Sequence, residues 1–197
     1  MKSLRVRTPA KINLYLRILG SRPDGYHDLE TLFQAIDLHD QLIISETAGG
    51  SRLEVPGHPA LENNDNLIMR ALRWIERRSG RRVSVNVQLQ KRIPVSAGLG
   101  GGSSDAAATI LGIQALYDLE LGTDDLIRDA GELGADVPFF LVGGSAIGEG
   151  IGEQLTRVSI PLDYGLVLVH PGFPGRSRAA AARRKVIDEK PSGSDSR

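Results

Sequence analysis

The chain has 197 residues, of which 41% are hydrophobic, and its 24 basic and 24 acidic residues balance to a net charge of zero. A balanced charge gives no electrostatic reason to expect a nucleic-acid or membrane partner. No apolar run approaches the ~20 residues of a membrane span. The absence of cysteine excludes a disulfide framework and a thiolate metal site. The first twenty residues lack a continuous apolar segment, so we expect no secretory signal and a cytoplasmic protein.

The N-terminal part of the chain predicts strands. Alternating apolar and polar residues predict a first strand over 4–19, with an interruption at 9–11. The segment 21–27, SRPDGYH, predicts a turn because it combines Pro with Asp-Gly. A short second strand is predicted at 42–44, followed by a surface loop or hairpin at 49–58.

The middle of the chain alternates helices with a strand. One helix is predicted after the N-cap candidates at 64–66, with apolar residues four apart, and Gly80 can end it. Strict alternation predicts a strand over 83–90. Two further helices are predicted over 104–117 and 123–134, the latter with its first residue as N-cap.

The composition changes towards the C-terminus. A buried strand is predicted at 166–169. Residues 172–197 contain seven Arg or Lys, four consecutive alanines and few large apolar residues, so they bury too little surface to offset their ordering entropy. We therefore predict one domain over 1–171 and a basic, Ala-rich, disordered tail over 172–197, with a short helix near 179–187. Its charges are interpreted as solvated.

The most informative segment is PVSAGLGGGSSDAA, residues 94–107, which places four glycines and two serines at the start of a predicted helix. Glycine can adopt positive φ and lets a ligand approach the backbone closely. Free N–H groups and the positive end of the helix dipole favour an anion such as a polyphosphate. Ser103 follows Gly102 where a Walker A loop has Lys, and it occupies the third glycine position of a dinucleotide fingerprint counted from Gly98. The alternative is a flexible surface linker.

Two charged residues lie in apolar surroundings. Lys11 is in an otherwise apolar predicted strand, where it is either functional or an exposed edge residue. Asp136 precedes an apolar run and requires a partner or a purpose, unless it caps a helix or turn. Phosphoryl transfer requires a phosphate cradle, a positive charge near the moving group, and a carboxylate that orients the acceptor hydroxyl. The glycine segment, Lys11 and Asp136 are the candidates for these three components.

Three blocks resemble the GHMP kinase superfamily in wording and order: PAKINLYL (9–16), the glycine segment (94–107) and LGADVPFFL (133–141). Within that superfamily, SRPDGYH (21–27) and LETLFQAIDLHDQL (29–42) are similar to the family of 4-diphosphocytidyl-2-C-methyl-D-erythritol kinases. The glycine block alone indicates the superfamily, whereas the other two blocks indicate the subfamily.

The resemblance covers about residues 8–172 and implies an α+β fold, the GHMP kinase N-terminal domain, with a mixed sheet and helices packed on one face. It implies ATP-dependent phosphorylation of the 2-hydroxyl of 4-diphosphocytidyl-2-C-methyl-D-erythritol, a step of non-mevalonate isoprenoid biosynthesis. ATP and Mg²⁺ are the implied cofactors. The implied partner is a small-molecule substrate. A homodimer is expected on a separate ground, because a missing domain would leave apolar surface exposed. The balanced charge and the hydropathy lead us to expect no nucleic-acid and no membrane partner.

The resemblance also implies roles for individual residues. Lys11 and Asp136 match the catalytic pair, in which the Asp accepts or orients the hydroxyl proton and the Lys stabilises developing charge. Asn13 matches a residue near the methylerythritol hydroxyls. Tyr26 and His27 match residues that hold the cytidine ring by stacking and hydrogen bonds.

The nucleotide side of the site is implied in the same way, without protein ligands to a metal. Asn66 is expected near the nucleotide. The residues that match the ATP phosphate loop are Pro94, Val95, Ser96, Ala97, Gly98, Leu99, Gly100, Gly101, Gly102, Ser103 and Ser104.

Members of the family are nearly half as long again and carry a C-terminal domain with a further glycine-rich motif that this sequence lacks. We therefore expect a chain without most of that domain and with little activity. Two alternatives remain: another small-molecule GHMP kinase, such as a homoserine or mevalonate kinase, and a truncated, non-catalytic fragment that binds nucleotide.

Overall fold

The computed structural model describes residues 2–23, 25–161 and 163–170. The predicted tail over 172–197 therefore lies outside the described residues. The elements in chain order are β1 (Ser3–Ser21), β2 (His27–Glu46), β3 (Arg52–Glu54), α1 (Leu67–Ser79), β4 (Val85–Gln90), α2 (Gly101–Leu116), α3 (Thr123–Asp129), α4 (Val137–Val142), β5 (Ser145–Glu149) and β6 (Gln154–Val158), with 3₁₀ turns at Pro59–Leu61 and Ala130–Glu132.

Strand β2 organises the sheet. It pairs with β1 in antiparallel fashion along one edge, from the pair Ser3 and Ser45 to the pair Ser21 and His27. Its other edge pairs with β4 over 41–46 and with β5 over 31–34. Strand β3 lies parallel to β4, and β6 lies antiparallel to β5, so the sheet is mixed. The predicted turn at 21–27 joins β1 to β2 in one long hairpin.

The strand predictions differ from the structure in extent. The interruption at 9–11 is a shift of register between Pro9 and Ala10 inside one continuous strand. The strand predicted at 42–44 is the end of the 20-residue β2, whose earlier part is irregular in burial and therefore shows no clean alternation. The loop or hairpin predicted at 49–58 contains β3, which pairs with β4 rather than with a hairpin partner.

The helices pack on one face of the sheet, as predicted. Alternate residues of β4 point into the core, where the buried Val85, Val87 and Leu89 lie with one face of α1. Helix α2 is central and buried on most sides, because its run of alanines lets neighbouring elements approach closely. Helix α1 begins and ends as predicted, with Asn66 as N-cap and Gly80 as a left-handed C-cap.

Several predicted boundaries or elements are wrong. Helix α3 ends at Asp129 rather than at residue 134, because a 3₁₀ turn at Ala130–Glu132 follows it. Helix α2 begins at Gly101 rather than at Ser104, so the second half of the glycine segment is helical. Thr123 is the first residue of α3 and not its N-cap, a position taken by Gly122. The described residues from 163 to 170 form no strand, and Val167 is 91% exposed. The apolar run at 166–169 is therefore not a buried strand in the described structure, where it pairs with no neighbouring strand. None of the described helices combines the length and the apolar character needed to cross a bilayer.

Candidate active site

Lys11 lies at the junction between β1 and the glycine segment. Its backbone N–H donates a 2.9 Å hydrogen bond to the carbonyl oxygen of Leu99. Its side chain is 8% exposed, and Nζ donates to Oδ1 of Asn13 at 2.8 Å. The same nitrogen lies 5.2 Å from the centre of the Phe33 ring. Lys11 is therefore buried, and the alternative of an exposed edge residue is wrong.

Asp136 faces Lys11 across the site. Its Oδ2 lies 3.6 Å from Nζ of Lys11, and its side chain is 33% exposed. Asp136 occupies the N-cap position of α4, but its carboxylate makes no capping hydrogen bond. The carboxylate is thus held by the ammonium on one side and open to solvent on the other. A group with that exposure can accept a hydrogen bond from a ligand hydroxyl while the buried ammonium balances its charge.

The glycine segment forms one wall of a cleft of about 340 Å³. Positive φ angles occur at alternate residues, 59° at Ser96, 75° at Gly98 and 70° at Gly100. A backbone that alternates in hand turns successive N–H groups towards a common centre, which is an anion-binding geometry. Because α2 begins at Gly101, the N–H groups of its first residues have no acceptor within the helix. Loop and helix together therefore offer a cluster of donors to an anion.

Gly100 lies between this cradle and the pair formed by Lys11 and Asp136. A Cβ at that position would lie 2.8 Å from the ring of Phe140 and 3.0 Å from Cγ of Lys11. Its φ of +70° is also a conformation that disfavours side chains. Glycine at position 100 therefore allows the loop, Lys11 and α4 to pack together.

The structure brings most of the predicted phosphate-loop residues to the cleft. Residues 94–103 line it, and Asn66 does so from the start of α1. The side chain of Asn66 also accepts a 2.9 Å hydrogen bond from the N–H of Ile68. Ser104 is buried instead, and its hydroxyl oxygen has no hydrogen-bond partner among the described residues.

The structure does not bring Tyr26 and His27 to Lys11. Both lie at the tip of the β1–β2 hairpin, where they are exposed. Ala35, the residue paired with Lys11, is eight residues along β2 from His27, or up to roughly 26 Å at the rise of an extended strand. Shifts of register between Asn13 and Tyr15 and further along bend the hairpin, and an elongated ligand would be needed to contact both regions.

A buried charge cluster beneath the cradle was not predicted from the sequence. Nζ of Lys91 lies 2.5 Å from Asp40 and 3.1 Å from Asp105, and all three side chains are less than 8% exposed. Asp40 also accepts a 2.7 Å hydrogen bond from the N–H of Ile93, and Thr8 donates to Asp105 at 2.7 Å. Burial raises the pKa of Asp105 to about 6, against the opposing effect of Lys91. The signal in the sequence is that Lys91 lies just before the glycine segment and Asp105 lies within it.

Comparison with known proteins agrees with this geometry. Residues 66–144 match the family of GHMP kinases, N-terminal domain. The chain carries the N-terminal domain fold of the GHMP kinases, as its sequence blocks predicted.

Two bacterial proteins are similar in sequence over most of this chain. The chain is 45% identical over 183 residues to 4-diphosphocytidyl-2-C-methyl-D-erythritol kinase of Moorella thermoacetica, which covers 93% of this chain and 64% of that protein. It is 45% identical over 172 residues to the enzyme of the same name from Chromohalobacter salexigens, covering 87% of this chain and 57% of that protein. The chain spans about three fifths of the length of these curated relatives.

Solved structures confirm the predicted fold. A crystal structure of 4-(cytidine 5'-diphospho)-2C-methyl-D-erythritol kinase matches with a TM-score of 0.70 and 42% identity, covering 80% of this chain and 56% of that one. Mevalonate kinase of Methanococcus jannaschii matches with a TM-score of 0.61 and 17% identity over 80% of this chain and 56% of that one, a likeness of fold alone.

Proposed function

We propose that this chain carries the ATP-binding and proton-transfer groups of a kinase that phosphorylates the 2-hydroxyl of 4-diphosphocytidyl-2-C-methyl-D-erythritol. The observation that carries the proposal is the pairing of Lys11 with Asp136 directly beside the glycine cradle. Identity of 42–45% to kinases named for this substrate, against 17% to a mevalonate kinase, supports this acceptor over those of other GHMP kinases.

The cradle fits a triphosphate. Its backbone has positive φ at alternate residues, which turns successive N–H groups towards a common centre. The 16-residue helix α2 adds the positive end of its dipole. We assign residues 94–104 and Asn66 to ATP. Mg²⁺ is proposed to accompany the nucleotide, because in kinases that ion is held largely by substrate phosphates. When bound, ATP supplies the γ-phosphoryl group.

The catalytic pair would act on the acceptor hydroxyl. One oxygen of Asp136 accepts the hydroxyl proton as the new oxygen–phosphorus bond forms and the bond to the β-phosphate oxygen breaks. The ammonium of Lys11 stabilises the negative charge that develops on the attacking oxygen. Asn13, whose amide is exposed beside Lys11, is assigned to the hydroxyls of the methylerythritol unit.

The cytidine end is assigned to the hairpin tip. Tyr26 and His27 offer an aromatic face and a ring nitrogen there, which suit stacking and hydrogen bonding to a pyrimidine base. A homodimer is proposed because apolar residues of β1, such as Leu16 and Ile18, are more than 40% exposed. The cytoplasm is the proposed compartment.

A second candidate function is nucleotide binding without turnover. The specific observation is that the residues lining the cradle cleft include neither Lys11 nor Asp136, so the cradle can hold a nucleotide independently of that pair. ATP binding and phosphoryl transfer must therefore be measured separately.

The experiment combines calorimetry with an acceptor panel. ATP binding is titrated first, and transfer from labelled ATP is then measured with 4-diphosphocytidyl-2-C-methyl-D-erythritol, mevalonate and homoserine, with Asp136→Asn as matched control. We expect the chain to bind ATP and to transfer phosphate to the first acceptor alone. In the Asp136→Asn control this transfer should be abolished. ATP binding without transfer to any acceptor supports the second candidate, and transfer to mevalonate or homoserine contradicts the proposed substrate.

A further inference from the structure

A chain of three hydrogen bonds leads from Lys11 into the sheet. Nζ of Lys11 donates to Oδ1 of Asn13 at 2.8 Å, and Nδ2 of Asn13 donates to Oγ1 of Thr31 at 2.7 Å. Oγ1 of Thr31 donates in turn to the carbonyl oxygen of Tyr15 at 2.6 Å. The residues belong to the neighbouring strands β1 and β2, so the sheet holds both ends of this series of hydrogen bonds.

The chemistry of the end groups gives the chain one direction. The ammonium of Lys11 has only donors, and the carbonyl of Tyr15 is only an acceptor. The hydroxyl of Thr31 therefore donates its proton to the carbonyl oxygen of Tyr15. The lone pairs of the same hydroxyl oxygen accept a hydrogen bond from the NH₂ group of Asn13. The amide is thus oriented with its oxygen on Lys11, because the flipped amide would set donor against donor at Lys11 and acceptor against acceptor at Thr31.

The surroundings explain why Thr31 is needed. Asn13 is exposed, and an exposed amide rotates freely unless a partner holds it. Thr31 is 1% exposed and lies in β2 between β1 and β5, where it pairs with Gly148. A shift of register between Asn13 and Tyr15 interrupts the ladder of hydrogen bonds beside it. Such an irregularity leaves backbone groups available to side chains, and the hydroxyl of Thr31 uses the carbonyl of Tyr15.

We propose that Thr31 is a positioning residue for phosphoryl transfer, which orients Asn13 and thereby fixes the ammonium of Lys11 beside Asp136. The inference rests on the proposed function, because it takes Lys11 as part of the reaction. The competing explanation is that the hydroxyl of Thr31 only satisfies the buried carbonyl of Tyr15.

The kinetic test compares two substitutions of similar shape. Thr31→Val keeps the β-branch and removes the hydroxyl, whereas Thr31→Ser keeps the hydroxyl. We expect Thr31→Val to lower kcat by about 10- to 100-fold, the effect of a small misplacement of a reacting group, with KM for ATP within about twofold and Thr31→Ser close to wild type. Equal losses in the two variants would overturn the proposal.

A double mutant separates orientation from simple stability. In an Asn13→Asp background the carboxylate has two equivalent oxygens and needs no orientation, so Thr31→Val should cost less than about twofold there. The same large loss in both backgrounds indicates a structural role and overturns the proposal.

A spectroscopic measurement keeps the outcome independent of turnover. The side-chain NH₂ protons of Asn13 should exchange slowly in the wild type and in Thr31→Ser, and rapidly in Thr31→Val. A protein that transfers no phosphate but shows this pattern refutes the proposed function while the orienting contact stands. Unchanged NH₂ exchange in Thr31→Val refutes the inference itself.

Discussion

The backbone N–H of Lys11 and the carbonyl of Leu99 form a hydrogen bond of 2.9 Å that joins two parts of the site. Lys11 belongs to a strand built into the sheet, whereas Leu99 lies in the glycine segment. The bond therefore sets the distance between the proposed catalytic lysine and the proposed phosphate cradle. The next residue along the loop, Gly100, packs against the same lysine.

Replacing Gly100 by Ala should damage both stability and anion binding. The new Cβ would meet the ring of Phe140 and the side-chain stem of Lys11 in a backbone conformation of φ +70°. We expect a loss of about 2–4 kcal/mol in the free energy of unfolding, from overpacking and backbone strain together. ATP affinity measured by calorimetry should fall at least tenfold.

Gly98→Ala is the matched control. Gly98 has a similar φ of +75°, but an added Cβ would meet nothing within 4 Å. This variant should lose only the strain contribution of about 1–2 kcal/mol. Equal destabilisation of the two variants would mean that the contact with Lys11 and Phe140 contributes nothing.

Asp136→Asn and Lys11→Met test the proposed catalytic pair. Neither change should unfold the protein, because Lys11 retains Asn13 as a partner and Asp136 is one third exposed. We expect Asp136→Asn to lower kcat by about 10²- to 10⁴-fold, the usual effect of losing a general base, and Lys11→Met to cause a similar loss. The Kd for ATP should change little. Full turnover in either variant contradicts the role assigned to that residue.

The pKa of Asp105 predicts how stability varies with pH. An unfolded Asp titrates near 3.9, and in the folded protein burial raises the pKa of Asp105 to about 6. The folded state therefore holds this proton more tightly, so the contribution of Asp105 is fully present below about pH 4 and is lost as the pH rises through 6. The difference amounts to roughly 3 kcal/mol.

Asp105→Asn should remove this pH dependence. Urea unfolding at several pH values between 4 and 7.5 should give a shallower decline in the variant than in the wild type. Asp37→Asn is the control for the same chemical change, because Asp37 is fully exposed, and it should follow the wild-type curve. An Asp105→Asn curve parallel to the wild type would show that Asp105 does not titrate in this range.

Local sequence patterns were sufficient to predict those elements whose structure depends on one capping side chain or one apolar face. The alternation in β4 and the caps Asn66 and Gly80 of α1 are found where they were predicted. The length of β2 was not predictable, because its partners β4 and β5 are distant in sequence and stabilise residues without regular alternation. The Lys11–Asp136 and Lys91–Asp40 pairs likewise depend on tertiary contacts across more than 50 residues, which spacing alone does not reveal.

Ser104→Ala should have opposite effects on the free and the nucleotide-bound protein. The hydroxyl of Ser104 is buried without a partner among the described residues, which costs about 1–3 kcal/mol for an unsatisfied polar group. Removing it, with the better helix propensity of Ala, should raise the free energy of unfolding by about 1–2 kcal/mol. If nucleotide supplies the missing partner, as the proposed phosphate loop implies, ATP affinity should fall about tenfold, the effect of losing one charge-assisted hydrogen bond.

Ser103→Ala controls for helix propensity, which contributes only about 0.5 kcal/mol. Lower stability of Ser104→Ala in the absence of nucleotide would show that the hydroxyl is already satisfied in the free protein, and unchanged ATP affinity would remove Ser104 from the nucleotide site.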